Sequence, residues 1–125
     1  MIVDPWLRRD IPLWVGGLSA KSVRRAARYG DLWSPTRLPI EEVGTALKDP
    51  EVVDILAQRE RPLEVVYIMS GPAPLDALGR PREVRDILKQ LQDQGITGWA
   101  PELEHQTREV YCEQLRAMAE IAKEF

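Results

Sequence analysis

The 125-residue chain has one cysteine, Cys112, and one histidine, His105. A lone cysteine cannot close a disulfide within the chain, so burial and hydrogen bonding must hold the fold, and a reducing, cytoplasmic setting is expected. No apolar stretch approaches the ~20 residues of a membrane span, and the first residues lack the basic-then-apolar order of a signal peptide. An excess of positive charge is missing too: 17 Lys and Arg stand against 20 Asp and Glu, a net charge of -3, which argues against a general nucleic-acid surface. Neither a membrane nor a nucleic acid is therefore expected as a partner, and no metal site is expected.

What is present is ordinary for one soluble domain. The hydrophobic fraction of 44% and charged fraction of 30% exclude disordered and fibrous classes, and the length suffices for a single core. The chain is organised around Ile11 to Asp31, which reads IPLWVGGLSAKSVRRAARYGD. Pro12-Leu13-Trp14-Val15 reads as a short strand, Gly16-Gly17 as a sharp turn that permits close approach, and Ser19 as the cap of a helix. Val23, Ala26, Ala27 and Gly30 recur at helical spacing, so a narrow stripe of small residues should pack back on the strand. Arg24, Arg25 and Arg28 lie off that stripe and read as a solvated face. Free N–H groups at the helix start suit an anion, to which Ser19 and Ser22 would add hydroxyl donors. The plainer reading is that the serine only caps and the glycines only turn.

Three more strand–helix units follow. Leu32-Trp33-Ser34 is a second strand ending at Pro35, and its loop carries Arg37, read either as a solvated residue or as a fork for a substrate carboxylate or phosphate. Residues Pro39 to Glu60 form one broken helix or two short ones, with Val43, Leu47, Val53 and Leu56 inward. Leu63 to Met69 is a third strand, whose near-continuous apolar run fits coverage on both faces. The segment Ser70-Gly71-Pro72-Ala73-Pro74 then makes a rigid loop. A helix from Pro81 places Val84, Ile87, Leu88 and Leu91 on one stripe and ends at Gly95. Ile96 to Ala100 is the fourth strand, with Gly98 marking a bulge or a close approach. His105 follows in a loop with nearby carboxylates, either as an exposed residue or as an acid or base. The last helix, from about Thr107, is expected to bury Tyr111, Leu115, Met118, Ala119 and Ala122, with Cys112 half-buried. Residues 1–10 form a lead-in anchored by Trp6.

The run from Pro12 to Trp33, P-x-W-V-G-G-x-S-x-x-S-x-R-R-A-A-R-x-G-D-x-W, resembles the fifth strand, fifth helix and sixth strand of the luciferase-like monooxygenase family. Gly30-Asp31-Leu32-Trp33 replaces one glycine of the family's usual Gly-Asp-Gly-Trp by leucine. Gly79-Arg80-Pro81-Arg82-Glu83-Val84 resembles the helix start after the family's seventh strand. The resemblance implies a (β/α)8 barrel that uses reduced flavin mononucleotide or a deazaflavin coenzyme. Such a barrel needs about 250 residues, so the four units here would be its C-terminal half.

What the resemblance implies for residues is confined to the phosphate mouth, at Gly16, Gly17, Leu18, Ser19 and Ser22. The family's catalytic histidine, substrate pocket and phosphate arginine lie in the first four units; Arg37 and His105 are the substrate-site candidates here. A sheet with helices on one side leaves a bare face and two open edges, with Trp14, Trp33 and Trp99 as candidates for that face. Self-association, most simply as a dimer, or completion by a separate N-terminal half is therefore expected. Three functional readings stand: a flavin- or deazaflavin-binding oxidoreductase, a non-catalytic half-barrel serving assembly or partner binding, and a truncated copy without activity.

Overall fold

The computed structural model describes residues 11–19, 21–68 and 74–125. The lead-in with Trp6, the gap-filling Met69 and most of the rigid loop after it lie outside these residues. Nine elements follow in order: β1 (Trp14–Gly17), α1 (Ser22–Tyr29), β2 (Leu32–Pro35), α2 (Ile40–Leu47), α3 (Pro50–Ala57), β3 (Glu64–Ile68), α4 (Pro81–Asp93), β4 (Gly98–Ala100) and α5 (Arg108–Ala122). The strands form one sheet in the order β1-β2-β3-β4, all parallel.

Parallel strands in sequential order, joined by crossovers of one hand, send every connecting helix to the same face. The register bears this out. Val15 pairs with Trp33, Trp33 with Val65, and Tyr67 with Trp99, so by the two-residue period these five side chains share a face. On that face Trp33 donates to Ser22 of α1, Tyr67 donates to the Leu38 carbonyl ahead of α2, and Trp99 packs beside Val84 and Ile121. Two of the tryptophans expected on the bare face, Trp33 and Trp99, thus turn to the helices, because parity pairs them with Val65 and Tyr67. Only Trp14 faces the other way.

The strand β3 shows the same alternation. Val65 and Tyr67 are buried, Val66 is half-buried, and Glu64 and Ile68 are exposed. Among the described residues its apolar run meets helices on one face only, so the expected two-sided coverage is not found there.

The helices start and stop where local chemistry dictates. α1 ends at Gly30, and the Arg59 guanidinium donates to the Ala27 and Gly30 carbonyls, satisfying acceptors left over at the helix end. The break between α2 and α3 falls at Asp49, whose carboxylate accepts from Glu51 N–H at 3.0 Å, with Pro50 opening α3. Within α3 the buried valine is Val52; Val53, expected inward, is exposed because Pro50 fixes where the first turn begins. Arg24 and Arg28 are not simply solvated: they reach Asp49 and Glu51 of α3 at 2.7–3.1 Å. α4 ends as expected at Gly95, whose φ of 77° an L side chain rarely adopts.

The last helix departs most from expectation. It buries Gln114 and Ile121, while Tyr111, Leu115, Ala119 and Ala122 stay exposed. The cause is a polar anchor: Gln114 accepts from the Ala77 and Leu78 N–H groups and donates to Asp76 at 2.7 Å. A buried amide left unpaired would cost ~1–3 kcal/mol, so the helix is turned to satisfy it.

Candidate functional site

In parallel α/β sheets the ligand rim lies at the carboxyl ends of the strands, where helix N-termini face the bound molecule. Here that rim carries three loops with sequence-predicted site residues. The first joins β1 to α1, the second joins β2 to α2, and the third joins β4 to α5.

At the first loop Gly16 and Gly17 do not form the expected turn. They belong to β1, opposite Ser34 and Pro35, and the turn comes at Leu18 and Ser19. Gly17 has a steric reason to be glycine: a Cβ there would lie 2.3 Å from the Ser22 Cβ. The close approach it permits is taken up by the first residue of α1. Ser22 is buried, and its hydroxyl donates to the Ser19 carbonyl and accepts from Trp33 Nε1, both at 2.8 Å. A hydroxyl has one proton to give. Ser22 therefore fastens α1 to β2 and offers no donor to a ligand in this arrangement.

Ser19 does not cap the helix either. Its carbonyl accepts the Ser22 N–H at 3.0 Å, and Lys21 holds the N-cap position without a side-chain bond to the helix. Leu18, Ser19 and Lys21 are exposed. The start of α1 thus stands at the rim without a side-chain bond from its cap residue Lys21, which sequence reasoning did not single out.

The second loop lies alongside the first, because Thr36 N–H donates to the Gly17 carbonyl at 3.1 Å. Arg37 follows in the left-handed region, φ 59°, and is exposed. It directly follows Thr36, the residue bonded to Gly17.

The third loop carries His105. Its Nδ1 lies 2.8 Å from the Leu103 carbonyl; a carbonyl only accepts, so Nδ1 holds the proton and Nε2 of the neutral ring is bare. The ring lines a shallow cleft of about 500 Å³ with Ile68, Ala100, Glu102 and Tyr111. The loop after β3 ties itself to this one, Leu75 N–H donating to Glu102 and Glu104 N–H to Leu75. The Gln114 amide and the Gly79 N–H hold the Asp76 carboxyl below the usual carboxylate range. Arg24 does the same for Asp49, and burial pushes the Tyr67 hydroxyl up.

The fold gathers Gly17, Leu18, Ser19 and Ser22 at one mouth, with Arg37 in the adjoining loop. It does not bring His105 there. β1 and β4 are three strand spacings apart, ~14 Å, so histidine and mouth act on one ligand only if that ligand spans the rim. Among the described residues no group of three His, Cys, Asp or Glu is placed to hold a metal, and no helix is long and apolar enough to cross a membrane.

Most of the motif residues have internal partners. Asp31 accepts from Leu13 N–H at 2.7 Å, and a Cβ at Gly30 would meet Val15 at 2.8 Å. Gly98 pairs in regular register with Val66, so it is not a bulge, and the close approach it permits is to Val66 of the neighbouring strand. The architecture is that of an α/β protein with a sequentially ordered parallel sheet. No family model matches the chain, and no curated protein matches it.

Proposed function

We propose that the chain is a luciferase-like half-barrel that holds the phosphate of reduced flavin mononucleotide or of a deazaflavin coenzyme at the mouth between β1 and α1. The observation that carries this reading is the start of α1, whose cap residue Lys21 makes no side-chain bond to the helix, on the carboxyl rim of a parallel sheet, within the Pro12–Trp33 run that resembles the family. The residues fit a phosphate in part. Backbone N–H groups beyond Ser19 and the Lys21 ammonium supply donors and positive potential, whereas Ser22 is committed to Trp33 and supplies neither. Arg37, on the adjoining loop, adds a second cation for a phosphate or a substrate carboxylate. His105, with Nε2 bare, accepts a proton from a substrate reaching the far side of the rim.

When bound, the coenzyme supplies the redox chemistry, and the chain supplies binding and orientation. The lone Cys112 supports a reducing, cytoplasmic setting for it. A second reading, a non-catalytic half-barrel that serves assembly, is favoured by the placement of His105 after β4 and of the mouth after β1, at opposite edges of the sheet.

Titration with each coenzyme, followed by fluorescence, separates the two. Saturable binding is expected, weakened about tenfold, ~1.4 kcal/mol, by Ser19→Asp or Lys21→Glu, since a carboxylate at the mouth repels phosphate. Ser19→Asp should leave folding intact, because an acid at a helix start is favourable. No binding by the folded wild-type chain would discard the coenzyme and leave the assembly reading.

A further inference from the structure

We propose that the groove between α5 and β4 is the seat of a parallel strand, and that β1 of a second copy fills it while its own groove receives β1 in return. This rests on the half-barrel reading of the fold and is independent of the coenzyme. The argument starts from how a finished unit looks. α1 packs against its own strand β1 and somewhat less against the next strand β2, whereas α5, which stands in the same relation to β4, packs chiefly against α4. No described strand lies beyond β4, and where one would run there is a groove of about 540 Å³ between Trp99 and the α5 residues Leu115, Met118 and Ala122.

The opposite edge offers what that seat requires. Among the described residues β1 pairs with β2 alone, so its outer edge offers backbone donors and acceptors without a described strand beside them. Leu13 shares the parity of Val15, the face that meets the helices, and is 51% exposed; Ile11, two residues earlier, is 68% exposed. Set along β4, these side chains enter beneath α5. Trp14, 62% exposed, falls on the other face, over the small residues Gly98 and Ala100. Tyr29, 71% exposed, sits on the flank of α1 away from the arginines that bind α3, and so meets the partner's α5.

The area is sufficient. Tyr111, Leu115 and Phe125 are 42%, 44% and 47% exposed at the α5 edge. With ~200 Å² for an aromatic and ~120 Å² for an aliphatic side chain, the two edges offer about 600 Å² of apolar surface per copy. A two-fold pair forms both seams at once and buries about 1,200 Å² before any backbone is counted, the threshold of a stable interface at roughly 1,200–2,000 Å². No open edge then remains.

The test is the mass in solution of the wild type, of Leu13→Glu, of Leu115→Glu, and of the two variants mixed. The wild type should be a dimer and each variant alone a monomer. The equimolar mixture should associate again, because one of its two seams is wild type on both sides. A monomeric wild type, a dimer that only one substitution breaks, one that neither breaks, or a mixture that stays monomeric would each overturn the proposal. If circular dichroism finds either glutamate variant unfolded, Leu13→Thr and Leu115→Gln carry the same test. A monomer that binds flavin mononucleotide would refute the seat and spare the phosphate mouth; a dimer indifferent to flavin would do the reverse.

Discussion

Helices α1 and α5 each follow a strand of the same parallel sheet, yet they are packed to different depths. α1 buries Ser22, Val23, Ala26 and Ala27 in the angle between β1 and β2, and its hydroxyl–indole bond to Trp33 reaches across to the second strand. α5 is nearly twice as long and buries Gln114 and Ile121. The difference does not lie in the helices' own apolar content, since α5 carries Tyr111, Leu115 and Met118 on one flank. It lies in what each helix packs against: α1 meets β1 and β2, whereas α5 meets chiefly α4. In a repeating βα arrangement a helix is sealed where it lies over two strands.

The strongest way to break the contrast is to empty the sealed unit. Trp33→Ala removes the largest fully buried side chain and should cost ~3–5 kcal/mol, read as a fall in the denaturant midpoint. Gly17→Ala forces a Cβ against Ser22 at 2.3 Å in the present backbone, and overpacking of this kind costs ~1–3 kcal/mol in the same experiment. Ser22→Ala leaves the Trp33 indole N–H without its acceptor; a loss of ~1–3 kcal/mol is expected, with coenzyme affinity of the folded protein unchanged.

At the other end the expected effects are smaller and depend on pH. The Asp76 carboxyl is held low by Gln114, so its contribution is present above the ordinary carboxylate value of ~3.9 and is lost as pH falls through the lowered one. Thermal melts of the wild type and Asp76→Asn should therefore differ most near neutrality and converge on acidification. Leu115→Ala, at the exposed flank of α5, should change the stability of a dilute sample by less than ~0.5 kcal/mol.

The strand–helix alternation was legible because each element carries its own signal. β-branched runs mark β3, a small-residue stripe marks α1, and Asp49-Pro50 and Gly95 mark the ends. Which face each strand turns to the helices was not legible, since it depends on register; that is why Trp33 and Trp99 fall opposite to expectation. The inward face of α5 was hidden by a polar residue. Apolar periodicity selects Tyr111 and Leu115, but the bonds from Gln114 to the loop after β3 span more than thirty residues of sequence, and no local pattern announces them. At the candidate site the fold adds what the motif does not carry, the internal bonds of Ser22. Ser22 looked like a ligand group because a serine at a helix start has that chemistry, and only its buried position against Trp33 assigns its proton elsewhere.

The most direct test of the contrast is amide hydrogen exchange resolved by residue and followed over protein concentration. The β2 and β3 amides, flanked by strands on both sides, should be protected at every concentration. The amides of Trp14–Gly17 and Gly98–Ala100, at the two edges, should exchange fast in dilute solution and slow together as concentration rises. Protection of both edges that equals that of β2 at high dilution, and does not change with concentration, would contradict the account that this sheet is finished at its centre and open at its ends.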